Sequence, residues 1–315
     1  EKCSMRKIIN KAHVEGRISE STLEVRVSKK GVTYIGGKLD VATDNEGLNI
    51  VTVEFPYVAE KFNNGNENKT YGVLKNIIEH GKTIMGNPGE EATMVRLDPS
   101  ISLNEWYRDD NGTKTLVSTK RLTGGFAHIV NSINADEVAR NKFECDMVIT
   151  GTSFFEGDEE RGTQDKLVVK GCTFDFAGKM LPIELSVTNP NGIKYFEDKI
   201  DASPANPVFT KVWGKVVNET IITQITEESA FGEPIVREVK KNKRDWVLTG
   251  MAVTPYEFDD ETSITAQELR DAIAAREVYK AELLQAQEAR EAEKAKGNNA
   301  FTAASTTPVN GGFSF

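Results

Sequence analysis

Cysteine is scarce: Cys3, Cys145 and Cys172 are the only three in 315 residues. An odd number at such wide spacing fits neither a disulfide framework nor a zinc template, so a reducing, cytoplasmic setting is the expectation. Long apolar runs are missing as well. No stretch approaches the roughly 18 consecutive apolar residues of a membrane helix, and Glu1-Lys2-Cys3-Ser4-Met5-Arg6-Lys7 lacks the apolar core of an export signal. There is no excess of positive charge either: 39 Lys+Arg stand against 48 Asp+Glu, a net of −9. That excludes a uniformly basic coat for duplex nucleic acid. It leaves room for a local basic groove, because net charge says nothing about distribution.

The residues of common catalytic motifs are thin too. His13, His80 and His128 are the three histidines, far apart and without an HExxH pair. No Gly-x-Ser-x-Gly elbow occurs. Gly81-Lys82-Thr83 invites comparison with a phosphate loop, but the position that needs the earlier Gly holds Asn76. The acidic run Glu156-Gly157-Asp158-Glu159-Glu160 lacks calcium-loop spacing and reads as a solvated hairpin tip, and Asp109-Asp110-Asn111-Gly112 reads as a turn between strands. Three Asn-x-Thr sequons, at Asn68, Asn111 and Asn218, are taken as chance in a chain that nothing marks as secreted. The expectation is a protein that is not an enzyme, with no cofactor and no metal.

What is present is strand language. Before about residue 256, β-branched and aromatic residues alternate with polar ones between Gly/Asn/Asp clusters. Thr33–Ile35, Lys38–Val41, Ile50–Phe55, Leu167–Val169, Thr173–Phe176 and Ile183–Val187 are strand candidates, and their alternation predicts antiparallel sheet with one wet face. Tyr71, Leu74, Ile77 and Ile78 predict one helix, which Gly81 stops. From about Ser263 to Lys296 the helix formers Ala, Glu, Gln, Leu, Arg and Lys take over. Thr265-Ala266-Gln267-Glu268 has the capping-box form, and Gly297 is the expected stop. The apolar stripe of this helix is thin, predicting loose docking at its start and a solvated end. Beyond it lie Thr, Ser, Pro and Gly, the composition of a disordered tail. Residues 256–315 hold 11 acidic and 6 basic residues, so the tail region carries over half of the negative excess.

Two stretches look like versions of one unit. The first runs from His13-Val14-Glu15-Gly16 through Gly36-Gly37-Lys38-Leu39-Asp40-Val41 to a strand at Ile50–Val58. The second runs from Val148-Ile149-Thr150-Gly151 through Lys170-Gly171-Cys172-Thr173-Phe174-Asp175 to a strand at Leu181–Val187. Closing strands are expected at Gly125–Asn131 and at Trp213–Asn218. That order is the order of an OB-fold, a five-stranded Greek-key barrel in which a central Gly permits the bend that closure needs. The predicted fold class is therefore mainly β: two OB-like antiparallel Greek-key barrels in tandem, followed by a C-terminal α-helix and a disordered tail. The expected domains are an N-terminal arm (1–12), a first OB-like domain (13–140), a second (141–258), the helix (259–297) and the tail (298–315).

With Lys38-Leu39-Asp40-Val41, Trp213-Gly214-Lys215-Val216-Val217 and a tail ending in Phe315, the chain resembles the OB-fold single-stranded-DNA-binding proteins of phages and mobile elements. The pattern covers roughly residues 10–255. The tail departs from it, ending Gly-Gly-Phe-Ser-Phe where many such tails have an acidic tip. The resemblance implies sequence-tolerant binding of single-stranded DNA, in phage or mobile-element replication or recombination. It also implies partners among replication or recombination proteins reached through the helix and tail, with no membrane, in the host cytoplasm if the chain is phage-encoded.

Basic and aromatic residues on strands are the candidates for that chemistry, since bases stack on aromatic faces while Lys and Arg track phosphates. They are Trp106, Tyr107 and Arg108 before the Asp-Asp-Asn-Gly turn, Lys120 and Arg121 after it, the alternating Lys211, Trp213 and Lys215, and the run Lys240, Lys241, Lys243 and Arg244. All are expected on one surface. Trp213, Trp246 and Phe176 read equally as core or platform. The alternative function is a non-enzymatic virion structural protein, a tail or capsid-decoration component.

Overall fold

The computed structural model describes residues 8–158, 163–227, 231, 235–258 and 264–303, with the side chains of 222–227, 235, 239–240 and 294–303 left aside. Of the expected disordered tail (298–315), residues 298–303 are helical instead, and the part from 304 onward, the first seven residues and Glu159-Glu160 lie outside the described residues. Among the described residues the chain is mainly β. Eleven strands form one hydrogen-bonded sheet, and it closes on itself twice.

The first closure uses β1 (Asn10–Ser21), β3 (Thr33–Ala42), β4 (Ile50–Ala59), β5 (Met94–Asp110) and β6 (Thr113–Ile129). β1 pairs with β3, β3 with β4, β5 with β6 and β5 with β1, all antiparallel. A short parallel contact of β4 with β6, Val53 opposite Leu122, completes the ring. The short β2 (Glu24–Val27) lies against β3 in the connection after β1. The second closure repeats the order with β7 (Asn141–Phe155), β8 (Lys166–Phe174), β9 (Met180–Val187), β10 (Val208–Glu227) and β11 (Ile235–Met251). Here the parallel contact is β9 with β11, Val247 opposite Ser186, and β10 returns to β7. A helix sits between the third and fourth strand of each ring: α1 (Lys69–His80) and α2 (Pro190–Lys199). Both rings thus have the strand order and closure of an OB barrel. The expected closing strands are not equivalent, however: Gly125–Ile129 lies in the fifth strand of its barrel and Trp213–Asn218 in the fourth strand of the other.

Of the glycines expected to bend the second strands, Gly37 and Gly171 sit where no side chain fits, whereas Gly36 has room for one. A Cβ on Gly171 would meet the Val148 carbonyl oxygen at 2.1 Å, and one on Gly37, whose φ is +140°, would meet the Thr22 oxygen at 2.3 Å. Close backbone approach of this kind is what lets a strand coil into a small barrel.

Local chemistry explains the helices. In α1 the Asn68 side chain accepts the Thr70 N–H at 3.1 Å, and Gly81 donates its N–H to the Ile77 carbonyl. The helix buries Tyr71, Leu74 and Ile77 against barrel one. At Gly81 the chain is a helix end, so the Gly-Lys-Thr segment is no phosphate loop.

The barrels are joined by strand pairing rather than by a linker. Asn10–Val14 of β1 pair with Cys145–Asn141 of β7, so Asn10, Lys11 and Ala12, expected in the N-terminal arm, belong to the ladder. Asn10 is buried; its side chain donates to the Ile101 and Phe174 carbonyls and accepts the Ile101 N–H at 2.8 Å. Beyond it, Ile8 packs with Phe174 and Phe209 of barrel two.

The C-terminal helix α3 spans Ala266–Ala303. The expected capping box is present, with Thr265 and Glu268 exchanging hydrogen bonds. Two expectations fail. The helix runs through Gly297, because one Gly costs only about 1 kcal/mol relative to Ala after so long a run of helix formers. Nor is it loosely docked. Ile264, Leu269 and Ala272 close one end of barrel two. Arg276 then forms a buried two-pronged ion pair with Glu105 of β5. The Gln287 amide both accepts the Tyr107 N–H and donates to the Tyr107 carbonyl. A thin apolar stripe hid this docking because its later contacts are polar. Among the described residues no helix is long and apolar enough to cross a membrane.

Two expectations follow. Gly171→Ala should lower stability by about 1–3 kcal/mol through overpacking. Gly72→Ala, at an exposed α1 position with open space, should raise it by roughly 0.5–1 kcal/mol. Urea unfolding checks both.

A third expectation concerns Glu105. Burial pushes its carboxyl up, but the hydrogen bonds and charge of Arg276 outweigh burial and leave it below the ordinary glutamate range. A depressed folded value means stability that is present above the unfolded pKa of about 4.3 and lost as pH falls through the folded one. Glu105→Ala should cost about 3–5 kcal/mol by stranding Arg276. The pair Glu105→Leu with Arg276→Met should recover most of that and unfold less steeply in acid, as urea titrations at neutral and acid pH would read.

Candidate nucleic-acid interface

The hairpin β5–β6 continues past barrel one as a two-stranded arm, from the pair Leu103 and Lys120 out to the turn at Asn111-Gly112. Both turn residues have positive φ, 56° and 87°, as a tight hairpin turn requires. Directly paired residues share a face, so the register sorts the arm. Ser102, Asn104, Trp106 and Arg108 lie with Arg121, Thr119, Val117 and Thr115 on one side. Glu105 and Tyr107 lie with Ser118, Leu116 and Lys120 on the other, the side that carries the Arg276 contact. Trp106 is 39% exposed. Arg108 is exposed and forks onto Asp110.

Barrel two sends out a matching arm, β10–β11, whose base docks on barrel one. The Asn218 N–H donates to Asn49 Oδ1 at 2.8 Å and its side chain to the Ile50 carbonyl at 2.7 Å, while the Thr220 N–H reaches the Leu48 carbonyl. Between this base, the outer strands of barrel one and β6 lies an open cleft of about 540 Å³. Its ionised lining residues are Lys38, Lys120, Arg121 and Arg244 against Glu54 and Asp245, a local excess of two positive charges in a chain of net −9. Trp246 completes one wall.

Each charge has a defined setting. Glu54 takes Lys38 at 2.9 Å and Arg121 at 2.7 Å. Burial raises its carboxyl, and the two cations together overcome that and hold it below the ordinary range. Arg244 donates to the neutral Asn218 amide oxygen at 3.1 Å. Asp245 is held by Lys166 at 3.0 Å and by the Ser186 hydroxyl at 2.8 Å. Lys120 donates to the Glu184 carbonyl and lies 5.8 Å from the Trp246 ring centre. Burial pushes its ammonium down, against the pull of Asp245 and Glu184. Lys38, Arg121 and Arg244 are therefore the cations of this cleft best placed to meet an incoming anion.

Of the residues singled out from sequence, the structure brings Lys120, Arg121 and Arg244 to the cleft, and it puts Trp106 and Arg108 on the arm face that continues from Arg121. Tyr107 is tied to α3 through its backbone. Strand alternation divides the basic run of β11: Lys241 and Lys243 are exposed on the side opposite Arg244. Lys240 lies in β11, and its side chain is outside the described residues. Lys211, Trp213 and Lys215 do share the outer face of β10, but they do not line the cleft. Lys211 pairs with Glu144 at 2.6 Å, Trp213 lies against Gly250, and Lys215 lines a separate polar pocket with Asp44, Glu137 and Glu219. Trp246 is core, 9% exposed against Phe143, whereas Phe176 is 77% exposed. Sequence reasoning missed Lys38 as a site residue, although it had marked the segment. Among the described residues no cluster of ligating side chains suits a metal ion.

The sequence model of the YorF family matches residues 8–289. No curated protein matches the chain. Among solved structures, the wild-type single-stranded DNA binding protein from Thermus aquaticus aligns with a TM-score of 0.45 and 8% identity, covering 81% of this chain and 97% of that one. A deletion mutant of the same protein aligns with a TM-score of 0.45 and 10% identity, covering 81% and 98%. At that score the likeness adds nothing to the strand order and ring closure described above.

The setting of Lys120 has a measurable consequence. A lysine whose folded pKa is depressed binds its proton less tightly than the unfolded chain does. Stability therefore rises with pH between the lowered value and about 10.4. Lys211 and Lys114, raised chiefly by hydrogen bonds to Glu144 and Glu291, slope the other way. Lys120→Met should remove the rising component alone, so that the variant gains less stability than the wild type on going from neutral to alkaline pH in urea unfolding.

Proposed function

The chain belongs to the YorF family, and from the geometry of its inter-barrel cleft we propose that it binds single-stranded DNA without strong sequence preference. The observation that carries this reading is the convergence of Lys38, Lys120, Arg121 and Arg244 from both barrels on one open cleft, against a net charge of −9. The strand would run through the cleft and onto the Trp106–Arg108 face of the β5–β6 arm. Phosphates would meet Arg121 and Arg244, and Trp106 would offer a ring to one base. OB barrels bind oligonucleotides on this side, at the faces of their second and third strands and at the loop between the fourth and fifth. Each barrel would act as a folding unit. In keeping with its sequence pattern, the protein would cover exposed strands during replication or recombination of phage or mobile-element DNA, its helix and tail meeting other proteins of that process.

The test is fluorescence anisotropy with a labelled oligothymidylate across a salt series. Wild type should bind with steep salt dependence, about 0.7 in log–log slope per phosphate contact. Arg121→Ala with Arg244→Ala should weaken binding alike for all sequences and flatten that slope. Trp106→Ala should weaken it by roughly 1–3 kcal/mol with the slope kept. No binding by the wild type at low salt would remove this reading and leave the virion structural protein in its place.

A further inference from the structure

Barrel one carries an exposed aromatic pair outside the cleft. Along β3 and β4 the ladder goes from Ile35 opposite Val58 to Gly37 opposite Phe55, so Pro56 and Tyr57 face the single residue Gly36. This is a β-bulge, and bulges re-aim side chains. Its effect is visible in the burial. Phe55 and Val58 are core, while Pro56 and Tyr57 both turn to solvent, Tyr57 with 52% of its surface exposed. The Tyr57 ring stacks on Tyr34 of β3, centroids 4.5 Å apart and planes 29° from parallel. Burying an aromatic of this size is worth a great deal to a fold, and here one is held rigidly outside.

Charged residues of both signs surround it. Arg26 of β2 interacts with Tyr34 and pairs with Glu24, and its guanidinium lies beside Gly36. A depression beside the bulge is lined by Arg26 and Lys38 against Glu24 and Glu54, together with Thr22 and Pro56. Lys38 and Glu54 also line the inter-barrel cleft, so the two hollows share a wall. Lys38, 54% exposed at its side chain, stands at the junction.

We propose that Tyr57, backed by Tyr34, is a stacking platform for a base of the same DNA strand, one step beyond the cleft and past Lys38. The inference rests on the single-strand reading of the cleft. The Tyr34 ring behind it would keep the platform from collapsing when a base arrives, which limits the ordering cost of binding. Stacking is indifferent to base identity, so the platform would lengthen the site without adding sequence preference.

The full-length protein is tested with two probes: an oligothymidylate and an abasic oligonucleotide of equal length, which keeps the phosphates and removes the bases. Tyr57→Ala should weaken oligothymidylate binding by roughly 5- to 150-fold. It should leave both the salt slope and the abasic affinity unchanged, while Tyr57→Phe should bind like the wild type. Photocrosslinking with an iodouracil-substituted strand, read by mass spectrometry, should give an adduct at Tyr57. Equal affinity of Tyr57→Ala and wild type for oligothymidylate would overturn the inference, as would an equal loss on both probes. If that occurs while Arg121→Ala with Arg244→Ala still loses binding, the cleft stands and only the platform falls. If the wild type binds neither probe, both fall.

Discussion

Everything in this molecule depends on β1 being used twice. Its later residues, from Val14 to Ser21, close barrel one against β3 and β5, and its first residues, Asn10–Val14, pair with β7 of barrel two. β7 and β5 lie on opposite edges of β1, and β5 pairs with it only from Val14 onward. Past that point the Ile101 backbone would lack a partner on the β1 side in a dry interior. The Asn10 carboxamide supplies both a donor and an acceptor there and reaches Phe174 of the other barrel as well. Buried backbone groups left unpaired cost about 1–3 kcal/mol each, so this one side chain makes continuous pairing between two barrels tolerable. Because the barrels share sheet rather than a flexible linker, the residues facing each other across the cleft are held in a defined relation.

That geometry reshapes what the charges can do. A run such as Lys240–Arg244 looks like a single patch when it is written out, yet in an extended strand neighbours point to opposite sides. The same alternation that places Arg244 beside Asn218 sends Lys241 and Lys243 away from the cleft. Conversely, Lys38, Arg121 and Arg244 are far apart in sequence and come together only because β3, β6 and β11 meet at one junction. Local charge is therefore a product of topology here. The excess of two positive charges around the cleft coexists with the net of −9 because over half of the negative excess lies from residue 256 onward.

The legibility of the fold follows the same division between local and distant interactions. The first three strands of each barrel could be read, since alternation and the glycines at Gly37 and Gly171 are local signals. The closing strands could not be matched correctly. The parallel contacts that define them, β4 with β6 and β9 with β11, rest on one or two residue pairs each and leave no periodicity in the sequence. The helix was visible from composition, but its docking was not, because Arg276, Gln287 and Glu291 look like solvent-facing residues until Glu105, Tyr107 and Lys114 are placed opposite them. For the cleft, Lys120, Arg121 and Arg244 were legible as basic strand residues. Tyr57 was not, since only the bulge opposite Gly36 separates it from an ordinary inward-facing strand aromatic.

The helix α3 ties these pieces together. Its start is apolar and seals barrel two beside Phe174 and Phe209. Its middle grips the β5–β6 arm of barrel one through polar contacts: the buried Arg276–Glu105 pair, the Gln287 amide on the Tyr107 backbone and the Lys114–Glu291 bridge. A two-stranded arm projecting from a barrel has little stability of its own, and the free edge of β5 is a place where another chain could pair. By occupying the backbone groups of Tyr107, Gln287 stands in for a neighbouring strand at that edge. The contact also holds one face of the arm against the helix. The other face, with Trp106, Arg108 and Arg121, is left open and continuous with the outer surface of barrel one. A buried ion pair is a weak source of stability compared with apolar packing, but it is strict about geometry. In this position it sets where the arm lies relative to barrel two, and so sets the direction in which the cleft opens.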